Sequence, residues 1–212
     1  VNLAVDSFEL GPLQTNCYVV RRERGAAEAV VVDPGGDITK LRLELARMGA
    51  KVAAILLTHG HWDHVLGVVD LVEASGAPVY LGEAELSELE SGPPESMGFP
   101  PLDSFVPDHL LTGGEKLELA GLEIEVVSAP GHRPGHMAFA IDGCLFSGDV
   151  LFRGSVGRAD LPGGDWPTLI ATLELLAHRF PPETIVYSGH GPETTLGAEL
   201  RTNPFLAELR TK

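Results

Sequence analysis

One stretch constrains this chain more than any other: Thr58-His59-Gly60-His61-Trp62-Asp63-His64. Three imidazoles and a carboxylate fall within residues 59–64, directly after the apolar run Val52-Ala53-Ala54-Ile55-Leu56-Leu57, which reads as a buried strand. Four such groups would crowd or repel one another if they served only as packing. Imidazole and carboxylate together suit zinc, iron or manganese. In an extended segment alternate side chains share a face, so His59 and His61 can point at one ion. Asp63 and His64 lie past the bend and can reach a second ion beside it.

The whole chain of 212 residues, 44% hydrophobic and 21% charged, fits one globular domain over 1–212 with an ample core. No apolar run approaches the roughly 18 residues of a membrane span. The start, Val1-Asn2-Leu3-Ala4-Val5-Asp6, has no basic region followed by an apolar core, so no signal peptide is visible and a cytoplasmic location is expected. Cys17 and Cys144 lie in apolar, strand-like segments outside any CxxC pair and read as buried, inert thiols. A formal net charge of -15 disfavours non-specific binding to nucleic acid or to anionic membranes, and neither is an expected partner.

Strands are expected at 3–9, 16–21 and 29–32, the last closed by Asp33-Pro34-Gly35-Gly36. Asp33 reads either as a turn cap or as an acceptor that orients a metal-bound histidine. Ile38, Leu41, Leu45 and Met48 form one stripe of a helix over 37–48, ended by Gly49. The strand at 52–57 and the histidine-rich loop follow, then a helix over 65–74 and a short strand at 78–81. Glu83 to Glu90 is an acidic helix candidate, and the Pro- and Gly-rich stretch 91–107 has the character of a functional lid or a mobile insert. Strands resume at 115–119, 122–128, 137–141 and 144–147. A helix over 166–179 tolerates Pro167 in its first turn, a last strand covers 185–187, and a last helix covers 193–201. His109 reads as a loop residue and His136 as structural.

His132, Asp149 and His190 share a context. Each follows a short apolar strand and sits beside a glycine, which lets backbone approach closely. With the first cluster they make seven candidate ligands at four strand ends.

This ordered set resembles the metallo-β-lactamase superfamily. The resemblance implies an α/β (α+β) fold, a four-layered αββα sandwich with a metal site at one edge of its two sheets. Val31-Val32-Asp33-Pro34-Gly35-Gly36, Pro130-Gly131-His132-Arg133-Pro134-Gly135-His136 and Ser147-Gly148-Asp149-Val150-Leu151-Phe152 are most similar to the glyoxalase II (hydroxyacylglutathione hydrolase) branch. Gly154 to Asp165 and Ser188-Gly189-His190-Gly191-Pro192 resemble its short bacterial form. Carried over by position, His59, His61 and His132 would hold one ion, Asp63, His64 and His190 a second, and Asp149 would bridge. The implied cofactors are two divalent ions, zinc first, with iron or manganese as alternatives. The implied reaction is attack of a metal-bridging hydroxide on the carbonyl of a small-molecule thioester, with Asp63 and Asp149 in catalytic roles. The larger enzymes of the branch carry a helical C-terminal domain that grips glutathione and a tyrosine near the last ligand. Here Gly191-Pro192 stands in the tyrosine's place, and Arg158 is the one candidate for a substrate carboxylate.

Two other classes fit the same motifs. One is a persulfide dioxygenase with a single iron on His59, His132 and Asp149. The other is a non-catalytic, metal-stabilised binding module, which the complete ligand set disfavours. A lactamase fits less well, given Asp63 and Asp149, and a nuclease fits poorly, given the acidity.

Overall fold

The computed structural model describes residues 3–89 and 103–211. Two six-stranded sheets face each other. The first contains β1 (Ala4–Leu10), β2 (Thr15–Arg21), β3 (Glu28–Val32), β4 (Lys51–Leu56), β5 (Val79–Gly82) and β6 (His109–Leu111), side by side in chain order. β1 to β3 are antiparallel neighbours and β3 to β6 are parallel ones. Helices α1 (Thr39–Met48), α2 (Trp62–Val65), α3 (Val68–Ser75) and α4 (Leu86–Leu89) belong to this half.

The second half contains β7 (Lys116–Leu119), β8 (Leu122–Ser128), β9 (Met137–Ile141), β10 (Cys144–Gly148), the small pair β11 (Leu151–Phe152) and β12 (Ser155–Val156), β13 (Ile185–Ser188) and β14 (Thr194–Thr195). The second sheet runs β14-β13-β10-β9-β8-β7. Helices α5 (Trp166–Arg179) and α6 (Leu196–Thr202) cover its outer face.

The two-residue period of the strands sorts their side chains into layers. In β2, Cys17 and Val19 face α1 and α3, while Tyr18 and Val20 face the other sheet. In β10, Leu145 faces α5, while Cys144 and Phe146 face the first sheet. Strands covered on both faces are apolar at nearly every position, as Val30-Val31-Val32 is. Three apolar layers result: helices on sheet, sheet on sheet, and sheet on helices. This is the αββα sandwich expected from the resemblance. Each fully buried Leu or Phe in it, Phe139 and Leu145 among them, contributes about 1.5–3 kcal/mol.

Helix ends follow the local chemistry. Asp165 caps α5 by accepting the Thr168 N–H at 2.9 Å. Gly49 ends α1 in the left-handed region at φ 64°. The helix expected over 65–74 differs from the one observed. It opens earlier, at Trp62, and breaks at Leu66-Gly67 into α2 and α3. Gly67 lies against the turn after β3: its N–H donates to the Pro34 carbonyl at 2.8 Å, and any side chain there would meet the Gly36 and Pro34 oxygens. His109 lies in β6, not in a loop, with its ring stacked 4.3 Å from Tyr80. The last helix starts at Leu196, after the short strand β14. Of the stretch read as a lid, 91–102 falls outside the described residues, and Phe105 packs against the outer core of the first sheet.

Both cysteines are free and buried, and burial pushes the Cys144 thiol up to about 11. No helix among the described residues is long and apolar enough to cross a membrane.

β8, β10 and β13 run in the same direction, so their C-terminal ends share one edge of the second sheet. Two backbone bonds join that edge to the first sheet's: Met137 N–H to the Thr58 carbonyl at 2.7 Å, and Asn16 N–H to the Gly189 carbonyl at 2.7 Å.

Candidate metal centre

All seven candidate ligands meet at this shared edge. β4 delivers the first of them. The chain stays extended to His61 (φ −62°, ψ 139°) and then turns helical, so Asp63 and His64 ride the single turn of α2. The change of conformation between 61 and 63 sends the two halves of the motif to different places.

His59 Nε2 and His132 Nε2 each lie 2.9 Å from His61 Nδ1, so three ring nitrogens converge on one point. Asp63 Oδ2 lies 3.5 Å from His64 Nε2 and 3.3 Å from His190 Nε2, which makes a second convergence. Asp149 stands between them. Its Oδ1 is 3.3 Å from His64 Nε2, and its Oδ2 is 3.7 Å from His132 Nε2 and 3.6 Å from His190 Nε2. His59–His61–His132, Asp63–His64–His190 and His59–His64–Asp149 each bring their donor atoms within 4.8 Å of one another, close enough to share an ion.

The donors are aimed by their other atoms. His64 Nδ1–H donates to Asp33 Oδ2 at 2.9 Å, and His132 Nδ1–H donates to the Arg158 carbonyl at 2.7 Å. The Thr58 hydroxyl donates to Asp33 Oδ2 at 2.6 Å and accepts from His59 Nδ1–H at 3.0 Å. For His59 and His132 the bond fixes a tautomer with the Nε2 lone pair facing inward, and for His64 it leaves Nε2 as the ring atom facing the carboxylates. Of the two readings of Asp33, the structure favours the acceptor: buried, at φ 50°, it also takes the Thr58 N–H at 2.8 Å.

Electrostatics divide the site. Burial, then the neighbouring imidazoles, holds His59 well below its ordinary value and His61 down at about 3, and burial lowers His132. Neutral imidazoles are ready ligands. Around the second group burial opposes charge on His64, but the Asp149, Asp63 and Asp33 carboxylates outweigh it and hold His64 well above its ordinary value. Burial likewise opposes ionisation of Asp63, yet His64 and His190 hold it at about 2. The carboxylates thus demand positive charge.

Two buried atoms at the centre, His64 Nε2 and Asp149 Oδ1, face each other at 3.3 Å and have no other hydrogen-bond partner among the described residues. A buried carboxylate oxygen facing a ring nitrogen calls for a cation between them, which is the His64 proton or, in its place, a metal ion. The donor set, its neutral imidazoles and this facing pair fit a divalent-ion site.

Several residues around the centre carried no signal in the sequence. Thr15 donates to Asp63 Oδ2 at 2.9 Å. Asn16 Nδ2 donates to the Ser188 and Gly191 carbonyls at 2.9 and 2.7 Å. Glu85, read as part of an acidic helix candidate, is fully buried against the ligand loops. Arg158 is exposed, with its guanidinium paired to Asp160 at 2.9 and 2.8 Å. His136 is buried, stacked on His59 with centroids 4.9 Å apart, and its Nε2 accepts the Asp149 N–H at 3.2 Å. Trp62 is half-buried and outside the core clusters.

The chain belongs to the metallo-beta-lactamase superfamily, whose sequence profile matches residues 10–190. Its centre is a candidate two-metal site on that fold. A hydroxyacylglutathione hydrolase, GloC, of Haemophilus influenzae is 36% identical over 208 residues, 95% of this chain and 97% of the relative. Among solved structures, the BLEG-1 B3 metallo-beta-lactamase superposes with a TM-score of 0.89 at 40% identity, covering 96% of this chain and 100% of the other. TTHA1623 in a di-iron-bound form superposes with a TM-score of 0.84 at 45% identity, covering 95% and 100%.

Proposed function

We propose that the protein is a metal-dependent hydrolase of thioesters, of the S-2-hydroxyacylglutathione type. The observation that carries the reading is the pair of donor groups with the Asp149 carboxylate between them. The 36% identity to a hydroxyacylglutathione hydrolase over nearly the whole of both chains supports the substrate class. In this reading His59, His61 and His132 would hold one ion and Asp63, His64 and His190 the other, with the Asp149 carboxylate available to both. Zinc suits these donors, as do iron and manganese, and a 45%-identical structure holds two irons.

Two divalent ions supply a water acidic enough to ionise near neutral pH and a Lewis acid at the carbonyl. The chain's own residues supply the rest. Asp63, pinned by the Thr15 hydroxyl and ionised at neutral pH, orients the attacking water through its carboxylate. His190, whose side chain is 30% exposed, marks the open side, with the Phe152 ring 6.1 Å from its own as one wall for the substrate.

Arg158 is the proposed contact for a substrate carboxylate. Its partner Asp160 is equally exposed, so water and salt screen the pair and a substrate can displace it. Arg158→Ala is expected to raise KM for a glutathione thioester several-fold and leave kcat unchanged. An unchanged KM removes Arg158 from the substrate site.

A second reading, hydrolysis of β-lactams, draws support from the 40%-identical lactamase structure. One set of assays separates the classes. Protein purified without added metal is analysed for metal content, then offered a lactoyl thioester of glutathione, a chromogenic cephalosporin, and glutathione persulfide with oxygen uptake recorded. Two ions per chain with thioester cleavage is the expected result. Cephalosporin cleavage with an inert thioester, or one iron with oxygen uptake, overturns it.

A further inference from the structure

Glu85 has no part in the reaction proposed above, yet it is fully buried. It ends a 3-10 turn, Glu83–Glu85, between β5 and α4, where Glu83 and Ser87 face solvent. A buried carboxylate is costly unless its hydrogen bonds are satisfied. The partners found for it among the described residues lie on the loops that carry the three-imidazole group. Oε2 accepts the N–H of Gly60, between His59 and His61, at 2.9 Å. Oε1 accepts the N–H of Gly135, on the loop of His132, at 2.8 Å.

Arg133 extends the tie. Its Nε lies 3.5 Å from Glu85 Oε2, and its Nη1 donates to the Pro162 carbonyl. Pro162 belongs to the loop whose Arg158 carbonyl holds His132 Nδ1. One carboxylate therefore links three loops, each of which bears or orients His59, His61 or His132. The other group is held by different means. Thr15 fixes Asp63, and Asn16 fixes the carbonyls on either side of His190. The two devices share no residue.

We propose that Glu85 is a positioning residue that sets how tightly the His59–His61–His132 group holds its ion. It does so by clasping the tips of two ligand loops, and it leaves the Asp63–His64–His190 group to Thr15, Asn16 and Asp33, the last of which also reaches His59 through Thr58. The inference rests on the two-ion reading. The backbone bond from Met137 N–H to the Thr58 carbonyl joins the same loops at their base, so they stay paired without Glu85. The carboxylate fixes the loop tips, where the ring nitrogens converge. Ion affinity falls off once ligands move a few tenths of an ångström, so a loosened clasp registers as affinity before it registers as unfolding.

Glu85→Gln keeps the shape and one acceptor oxygen but turns an NH2 toward one of the two N–H groups. Metal-stripped protein is titrated with zinc against a chromophoric chelator. The two binding constants are assigned with His61→Ala and His190→Ala, each of which removes one of them. Glu85→Gln is expected to weaken the constant that His61→Ala removes by about 10- to 100-fold and to spare the other. Thr15→Val is expected to do the reverse. The melting temperature of the metal-stripped form reads any purely structural role. A lower melting temperature with both constants unchanged overturns the proposal, and so does equal weakening of both. Should Glu85→Gln fail to fold, Glu85→Asp keeps the charge, retracts it by one methylene and is read by the same two constants. A wild type that binds no zinc overturns the two-ion reading and this inference with it. A wild type with two constants and an indifferent Glu85→Gln overturns this inference alone.

Discussion

Asp149→Asn is expected to remove metal and hydrolysis together. The side chain keeps its volume, so the fold has no reason to change. What changes is the charge. Asp149 is 8% exposed, and its two oxygens lie 3.3 to 3.7 Å from ring nitrogens of His64, His132 and His190. Burial opposes its ionisation, but those imidazoles hold its carboxyl well below the usual range, so it is an anion at neutral pH. An amide there is neutral and turns an NH2 toward groups that should receive a cation. Metal content should fall below two ions per chain, and kcat should drop on the order of 10²- to 10³-fold or more, the size of losing one preorganised electrostatic partner. Elemental analysis and kcat on the same circular-dichroism-checked preparation make the measurement. Full hydrolysis with two ions retained would remove Asp149 from its place between the groups.

Gly189→Ala should be nearly as damaging, for a reason of space rather than charge. Gly189 precedes His190 and is held by two backbone bonds: its N–H donates to the Gly148 carbonyl at 2.9 Å, and its carbonyl accepts from Asn16 at 2.7 Å. A methyl there overlaps Asp149 Oδ1 and lies 2.7 Å from His64 Cε1. With its backbone bonded on both sides, the glycine cannot retreat, so the carboxylate or the imidazole must. A displacement of about 1 Å at a reacting centre costs about 10²-fold in rate. The expected pattern is a loss of kcat and of metal affinity in a protein that melts cooperatively. Wild-type kcat in this variant would show that the glycine is not needed there.

The individual strands and helices were legible because their signals are local, whereas the αββα layering was implied by the resemblance. The apolar run Val52–Leu57, the stripe from Ile38 to Met48 and the Pro167 opening of the helix over 166–179 each occupy a few consecutive residues. The candidate ligands were legible because the same context, apolar strand then glycine-flanked His or Asp, recurs four times. The supporting residues lack any such pattern. Glu85 sits among other acidic residues with the spacing of a solvated helix, and only its bonds to Gly60 and Gly135, 25 and 50 positions away, set it apart. Thr15 and Asn16 look like ordinary strand residues until the fold brings Asp63 and the His190 loop beside them. The break at Gly67 likewise depends on the Pro34–Gly36 turn pressing against it, a contact that no helical period encodes. Arg158 was singled out for its charge, whereas the structure shows a main-chain contact: its carbonyl bonds His132.

The bonds from β2 to the loop after β13 bear on how such a chain reaches its working form. Asn16 and the Tyr18 hydroxyl reach the Ser188 carbonyl, 172 and 170 positions away along the chain. An early strand thereby closes onto one of the last, and the ring so formed encloses almost every other element. Contacts of such sequence separation are the slow ones to form, because the entropy of a long loop is lost before any contact repays it. The centre sits on that seam and has no local precursor: the His59–His64 segment alone offers half a coordination sphere. The two donor groups therefore come together only where the first and last strands close on each other, and no shorter piece of the chain contains both.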